Sequence, residues 1–110
     1  MNSIRLLALI FILFSINYSI CQTSDFTVVV DAGHGGKDPG NTGNGYLEKK
    51  IALNIALKLG KELENQGINV VYTRKTDVFV NLVERANIAN RSNAQLFLSI
   101  HCDAHTSQAY

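Results

Sequence analysis

Residues 28–50 read VVVDAGHGGKDPGNTGNGYLEKK, and this stretch decides how the chain folds. It opens within an apolar, β-branched run, residues 26–30, which is typical of a buried strand. It closes where a helical pattern begins, and between the two lie six glycines around His34. Glycine loses the most backbone entropy on folding, so a loop this rich in glycine costs stability. We therefore expect the glycines beside the histidine to permit a sharp bend and the close approach of a bulky substrate to bare backbone.

The remaining sequence alternates helical and strand patterns. Apolar runs predict two further strands, and polar side chains spaced by three or four residues predict two helices. In chain order these elements are the helix 49–66, the strand 68–72, the helix 82–91 and the strand 95–100. Gly67 stands where a C-cap glycine belongs, and Asn81 with Glu84 resembles a capping box. The β-α-β-α-β order predicts an α/β fold, a parallel sheet with helices on both faces.

The first residues have the features of a secretory signal peptide. Arg5 precedes the apolar run 6–16, which is shorter than the roughly 20 residues that a membrane span needs. We assign residues 1–21 to the signal peptide and predict export to the periplasm or the cell exterior. An uncleaved leader, or one acylated at Cys21, is the alternative, and only then would the chain be attached to a membrane.

Charge and cysteine content restrict the function classes. The chain has ten basic and nine acidic residues, and one basic residue, Arg5, lies in the leader, so the exported part is balanced. Such a balance offers no electrostatic basis for binding nucleic acid. Cys102 is the one cysteine after the leader, so no internal disulfide is expected there. Three strands and two helices are few for such a sheet, so we expect residues 22–110 to be the N-terminal portion of a larger domain.

Three side chains at the predicted strand and helix ends suggest a metal site. His34 follows the first strand, His101 follows the third, and ligands of open α/β sheets gather outside the carboxyl ends of strands. Glu48, on the apolar flank of the first helix, is the third candidate, because a carboxylate there needs a cationic or donating partner. Two histidines and one glutamate form a known catalytic zinc set with an open fourth position. Asp31 could accept the second ring N–H of a histidine.

Each of these residues by itself also fits a structural role. His34 could be a loop histidine held by carbonyls, Glu48 a charge favoured at a helix N-terminus, and His101 a buried strand residue. A phosphate-binding glycine loop is a further alternative. The nearest fit to G-x-x-x-x-G-K-[ST] has Asp31 in place of the first glycine and Asp38 in place of Ser/Thr. Carboxylates at both places would repel phosphate, which argues against a nucleotide site.

Taken together, the motifs resemble the zinc-dependent N-acetylmuramoyl-L-alanine amidases of bacterial cell-wall turnover, of the amidase_3 type. The resemblance rests on DAGHGGKDPGNTG, LEKK, TRKTD, ERANIAN and LFLSIHCDAH, which together cover about residues 28–105. It implies that His34, Glu48 and His101 bind Zn²⁺. It further implies peptidoglycan as the partner and hydrolysis of the amide between the lactyl group of muramic acid and L-alanine of the stem peptide.

Two departures accompany the resemblance. The family carries a catalytic glutamate on a later strand, so we expect the general base beyond Tyr110 and assign no catalytic residue other than the metal ligands within the chain. Asp103 stands where the family often has asparagine, and we expect a solvated loop residue there. A metal-retaining but non-catalytic peptidoglycan-binding module is therefore the alternative function. The resemblance leaves room for a regulatory protein partner, and we expect Arg74 and Arg85 to brace loops or helix ends.

Overall fold

The computed structural model describes residues 25–103, so the predicted signal peptide, residues 1–21, lies outside the described part. The secondary-structure elements, in chain order, are β1 (Thr27–Ala32), β2 (Thr42–Gly43), β3 (Tyr46–Leu47), α1 (Glu48–Asn65), β4 (Asn69–Tyr72), α2 (Leu82–Arg91) and β5 (Leu96–Ile100). Within residues 25–103, no helix combines the length and the apolar character that crossing a membrane requires.

The main sheet is parallel and has three strands in the order β4-β1-β5. Val29 of the central strand β1 pairs with Val71 on one side and with Phe97 on the other. The predicted β-α-β-α-β order is confirmed. Because β5 pairs with β1 in parallel, the carboxyl ends of these two strands are neighbours. Ligands of such sheets gather at this edge.

The two helices cover opposite faces of this sheet, as the sequence predicts. Val28, Val30 and Ala32 of β1 are buried and form the core together with Ala56 of α1. Successive side chains of a strand point to opposite faces, so Asp31 points away from that core. There its carboxylate meets Arg85 of α2.

The ends of the helices follow the expected capping rules with one difference. Gly67 adopts φ +79°, the left-handed conformation that ends α1. At α2, the side chain of Asn81 accepts a hydrogen bond from the backbone N–H of Glu84. The reciprocal bond of a capping box is not formed among the described residues, because the Glu84 carboxylate accepts from Arg91 and Asn87 instead.

A short hairpin inside the glycine loop was not predicted. Strands β2 and β3 pair antiparallel, with Gly43 opposite Tyr46. Their connection is Asn44-Gly45, both at positive φ (50° and 81°), the conformation that two-residue hairpins favour. This Asn-Gly dipeptide is a hairpin signal in the sequence itself, although each strand has only two residues.

Candidate metal centre

The two histidines lie at one edge of the sheet because their strands end side by side. Ala32, the last residue of β1, pairs with Ile100, the last residue of β5. The backbone N–H of Gly33 continues the ladder by donating to Ile100 O at 3.0 Å. His34 is therefore two residues beyond one strand end and His101 directly beyond its neighbour.

Helix α1 brings the third side chain to the same place, since Glu48 is its first residue. His34 Nε2 lies 3.0 Å from Glu48 Oε1. His101 Nδ1 lies 3.1 Å from the same oxygen and 3.2 Å from His34 Nε2. Thus the structure brings all three predicted residues together, with two ring nitrogens and one carboxylate oxygen facing a common point.

Glu48 is held in its ionised form at the base of this cluster. Its side chain is 3% exposed. Burial raises the pKa of Glu48, but hydrogen bonds from the backbone N–H of Asn41 and Cys102, then the histidines, outweigh that effect and lower the pKa to about 2. The two backbone bonds are both 2.8 Å long, and each goes to a different carboxylate oxygen. Glu48 is therefore a carboxylate at neutral pH.

Asp38 orients the ring of His34, a role that sequence reasoning missed. His34 Nδ1 donates to Asp38 Oδ2 at 2.9 Å, because a carboxylate can only accept. With its proton on Nδ1, a neutral His34 presents the lone pair of Nε2 to the cluster. The bond from His34, followed by that from the backbone N–H of Gly40, lowers the pKa of Asp38. Asp38 reaches the ring because Gly35 and Asp38 exchange backbone hydrogen bonds across a tight turn.

The prediction that Asp31 would hold a histidine ring is wrong. Its carboxylate accepts from Thr73, Ser99 and Arg85, and it points to the α2 face of the sheet. Burial raises the pKa of Asp31, but these three hydrogen bonds outweigh it and lower the pKa. The reason for the error is that Asp31 lies within β1, on the face that α2 covers, whereas the ring of His34 lies beyond the strand end and bonds to Asp38.

The glycines provide the predicted bend, but in the structure the space that they leave is filled by protein groups. A Cβ on Gly33 would lie 2.5 Å from Cε1 of the His101 ring. A Cβ on Gly40, at φ +67°, would lie 2.6 Å from the His34 ring and 2.7 Å from Glu48 Oε2. The bare backbone at these two positions therefore lets the three candidate ligands pack against one another.

The donor set and its spacing fit a divalent cation. Two donors of a tetrahedral zinc ion, each about 2.0–2.1 Å from it, are about 3.3 Å apart. The separations of 3.0–3.2 Å among the three donor atoms are close to that value. Lone pairs that converge in this way repel one another unless protons or a cation lie between them. The cluster is thus suited to hold a metal ion such as Zn²⁺.

One side of the cluster opens to a cleft. His34 and His101 line a space between β5 and α2, with Phe97 and Leu82 further along it. The His101 side chain is 43% exposed, whereas Glu48 is buried and does not line the cleft. Asp103 is exposed, as expected for a loop residue. A ligand can reach the cluster from this cleft without disturbing the sheet.

An α/β fold with a histidine–glutamate–histidine cluster at the carboxyl edge of its sheet defines a class of candidate metal-dependent hydrolases. Residues 28–110 match the amidase_3 family, described as N-acetylmuramoyl-L-alanine amidase. The chain belongs to this family.

Individual relatives agree with the family match. The sporulation-specific N-acetylmuramoyl-L-alanine amidase of Bacillus subtilis (strain 168) is 46% identical over 79 residues, 70% of this chain and 31% of the relative. AmiA, an N-acetylmuramoyl-L-alanine amidase of Escherichia coli (strain K12), is 46% identical over 81 residues, 73% of this chain and 28% of AmiA.

Solved structures show the same fold. The N-acetylmuramoyl-L-alanine amidase AmiC2 of Nostoc punctiforme superimposes with a TM-score of 0.74 at 42% identity, covering 78% of this chain and 48% of AmiC2. This chain therefore spans about half the length of that solved structure and less than a third of the two curated relatives.

Proposed function

We propose that this chain carries the zinc-binding site of an N-acetylmuramoyl-L-alanine amidase, a hydrolase that cleaves the bond between N-acetylmuramic acid and L-alanine in peptidoglycan. The observation that carries the proposal is the convergence of His34, Glu48 and His101, whose donor atoms lie 3.0–3.2 Å apart. Family membership supplies the substrate class. The same family supports export, with residues 1–21 as signal peptide and peptidoglycan in the cell envelope as the partner.

The residues of the cluster would have separate roles. His34, Glu48 and His101 would hold Zn²⁺, and the bound ion would supply Lewis acidity toward an amide carbonyl and toward water. Asp38 retains the proton on His34 Nδ1, which keeps Nε2 available as a donor atom. Glu48, ionised and buried, is the one charged group among the three candidate ligands, so a divalent ion would keep a net positive charge within its ligand set.

The general base is expected outside the described residues. Beside the cluster, the carboxylate of Asp38 is already engaged by His34 Nδ1 and by the backbone N–H of Gly40. This engagement also supports the second candidate function, a module that retains the metal and binds peptidoglycan without cleaving it. In the first candidate a glutamate on a later strand would accept the proton from water and pass it to the leaving amine.

Metal analysis and a peptidoglycan assay test the proposal together. The chain without residues 1–21 is expected to bind about one zinc ion, and Glu48→Ala is expected to bind almost none, because a tetrahedral site would lose one of three protein ligands. Glu62→Ala is the matched control, since Glu62 is an exposed glutamate of the same helix. Full zinc occupancy in Glu48→Ala would refute its role as a ligand.

Incubation of the chain with purified sacculi then distinguishes the two candidate functions. Release of stem peptides with a free N-terminal L-alanine, detected by mass spectrometry, identifies an amidase. Zinc-dependent binding to sacculi without release of peptide identifies the non-catalytic module. A chain that neither binds zinc nor sediments with sacculi contradicts both.

A further inference from the structure

Three polar bridges connect the backbone segments that carry the candidate ligands, one bridge for each pair. We propose that Arg74, the Asp31–Arg85 pair and Asn41 are positioning residues that set the distances among His34, Glu48 and His101. The inference rests on the proposed zinc site and extends it to residues that touch none of the donor atoms with their side chains.

Arg74 bridges the segments of His34 and Glu48. Its Nη2 donates to Gly33 O at 2.7 Å and to Lys49 O at 2.8 Å, so it joins the residue before one ligand to the residue after the other. Its Nε donates to Ala32 O at 2.9 Å. The guanidinium is buried, and its planar fork holds these carbonyls in one orientation.

The Asp31–Arg85 pair bridges the segments of His34 and His101. Arg85 Nη2 donates to His34 O at 2.7 Å, and Nη1 donates to Asp31 Oδ1. The other carboxylate oxygen of Asp31 accepts from Ser99 Oγ at 2.6 Å, two residues before His101 on β5. The ligand-bearing turn with its positive φ is thus tied to the neighbouring strand through one buried ion pair.

Asn41 bridges the segments of Glu48 and His101. Its backbone N–H donates to Glu48 Oε2 at 2.8 Å. Its side-chain Nδ2 donates to the carbonyl of Cys102, the residue after His101, at 2.7 Å. Cys102 in turn donates its backbone N–H to Glu48 Oε1, which closes a small ring of hydrogen bonds.

These bridges matter for metal binding because the ion needs all three donor atoms at one spacing. Without the surrounding backbone to hold them, the separations of 3.0–3.2 Å are only one arrangement among many for two histidines beyond strand ends and a glutamate at a helix start. If the ligand segments are already held at the spacing that the ion requires, they lose less conformational entropy when the ion binds. Removing a bridge without leaving a buried charge unpaired should therefore weaken metal binding more than it weakens the fold.

Asn41 allows the sharpest test, because it is exposed and its replacement leaves no buried charge. In the 110-residue chain, Asn41→Ala and Asn41→Asp both lose the bond to Cys102 O, while the backbone bond to Glu48 remains. We expect each to lose about 10-fold in Zn²⁺ affinity, measured by competition with a chelating dye, as is typical for groups that support metal ligands. The control Asn54→Ala, an exposed asparagine within α1, should change affinity less than about 2-fold.

Ser99→Ala tests a second bridge independently. It removes one of three side-chain partners of Asp31 and should lower Zn²⁺ affinity by about 3-fold, below the range of groups bonded directly to a ligand. Ser92→Ala is its control, because Ser92 Oγ donates to Ala89 O at the end of α2 and joins no ligand segment.

Two further readouts separate positioning from general stability. The visible spectrum of the Co²⁺-substituted chain should shift in Asn41→Ala, while the Tm of the metal-free chain should stay within about 2 °C, as for a surface substitution. Native Zn²⁺ affinity with an unchanged Co²⁺ spectrum in both Asn41→Ala and Ser99→Ala would overturn the inference and leave the proposed function standing. Failure of the unsubstituted chain to bind Zn²⁺ would overturn the proposed function and the inference with it.

Discussion

Against α1, strand β1 presents Val28, Val30 and Ala32, all buried among apolar side chains. Against α2, the same strand presents Asp31, a buried carboxylate paired with Arg85. The α1 face is thus held by apolar burial, which is non-directional, whereas the α2 face combines one buried apolar residue, Val29, with hydrogen bonds that require defined distances and angles.

This difference shows how a strand of six residues serves two purposes. Apolar packing on the α1 face tolerates small shifts, so it contributes stability without determining where His34 points. The ion pair on the α2 face fixes the carbonyl of His34 through Arg85, so it contributes geometry at the cost of burying two charges. We expect substitutions on the two faces to differ in size and in kind.

The largest effect is expected for Arg85→Met on the α2 face. The substitution leaves the Asp31 carboxylate buried with only two hydroxyl partners, and breaking a buried ion pair costs about 3–5 kcal/mol in the free energy of unfolding. Urea unfolding of the metal-free chain, followed by circular dichroism, measures this change.

The double variant Asp31→Asn with Arg85→Met is the control for that prediction. It removes both charges, so it should be more stable than Arg85→Met alone, although it has one substitution more. A loss below about 1 kcal/mol in Arg85→Met would place this pair among ordinary surface ion pairs and would remove the contrast between the faces.

The same contrast explains what could be predicted from the sequence. Apolar runs and helical spacing are local signals, so the three strands of the main sheet, both helices and the Asn81 cap were predicted within one or two residues. The candidate ligands followed from them, because His34 and His101 stand directly beyond strand ends and Glu48 at a helix start. Neighbouring parallel strands then bring their carboxyl ends together without further information.

The polar face carried no such local signal. Arg85 contacts Asp31 across 54 positions, and Arg74 contacts Gly33 across 41 positions. The choice of Asp38 over Asp31 as the partner of His34 depends on positive φ angles at His34, Gly35 and Gly36. The number of residues between two side chains does not show how the chain turns between them, so the spacing of Asp31 and His34 did not identify the partner of His34.

A smaller effect is expected on the apolar face, for Val30→Ala. Val30 is fully buried, and removing its two methyl groups should lower the free energy of unfolding by about 2 kcal/mol, counting lost burial and the remaining cavity. Because the packing of α1 is spread over several residues and Val30 lies far from Glu48 along that helix contact, Zn²⁺ affinity should stay within about 2-fold of the unsubstituted chain. A 10-fold loss of affinity in Val30→Ala would show that packing on this face also positions the site.

The smallest effect is expected for Leu82→Ala, which removes an apolar side chain from the other helix. Leu82 is 83% exposed, so its truncation uncovers little surface and leaves no cavity. Alanine is also the better helix former, and the net change in the free energy of unfolding should stay below about 0.5 kcal/mol. Thermal or urea unfolding of Leu82→Ala and Val30→Ala, measured in parallel, compares the free energy of unfolding of two aliphatic truncations on opposite sides of the sheet. If Leu82→Ala were as costly as Val30→Ala, α2 would be held by apolar contacts after all, and the Asp31–Arg85 pair would not be the main link between this helix and the sheet.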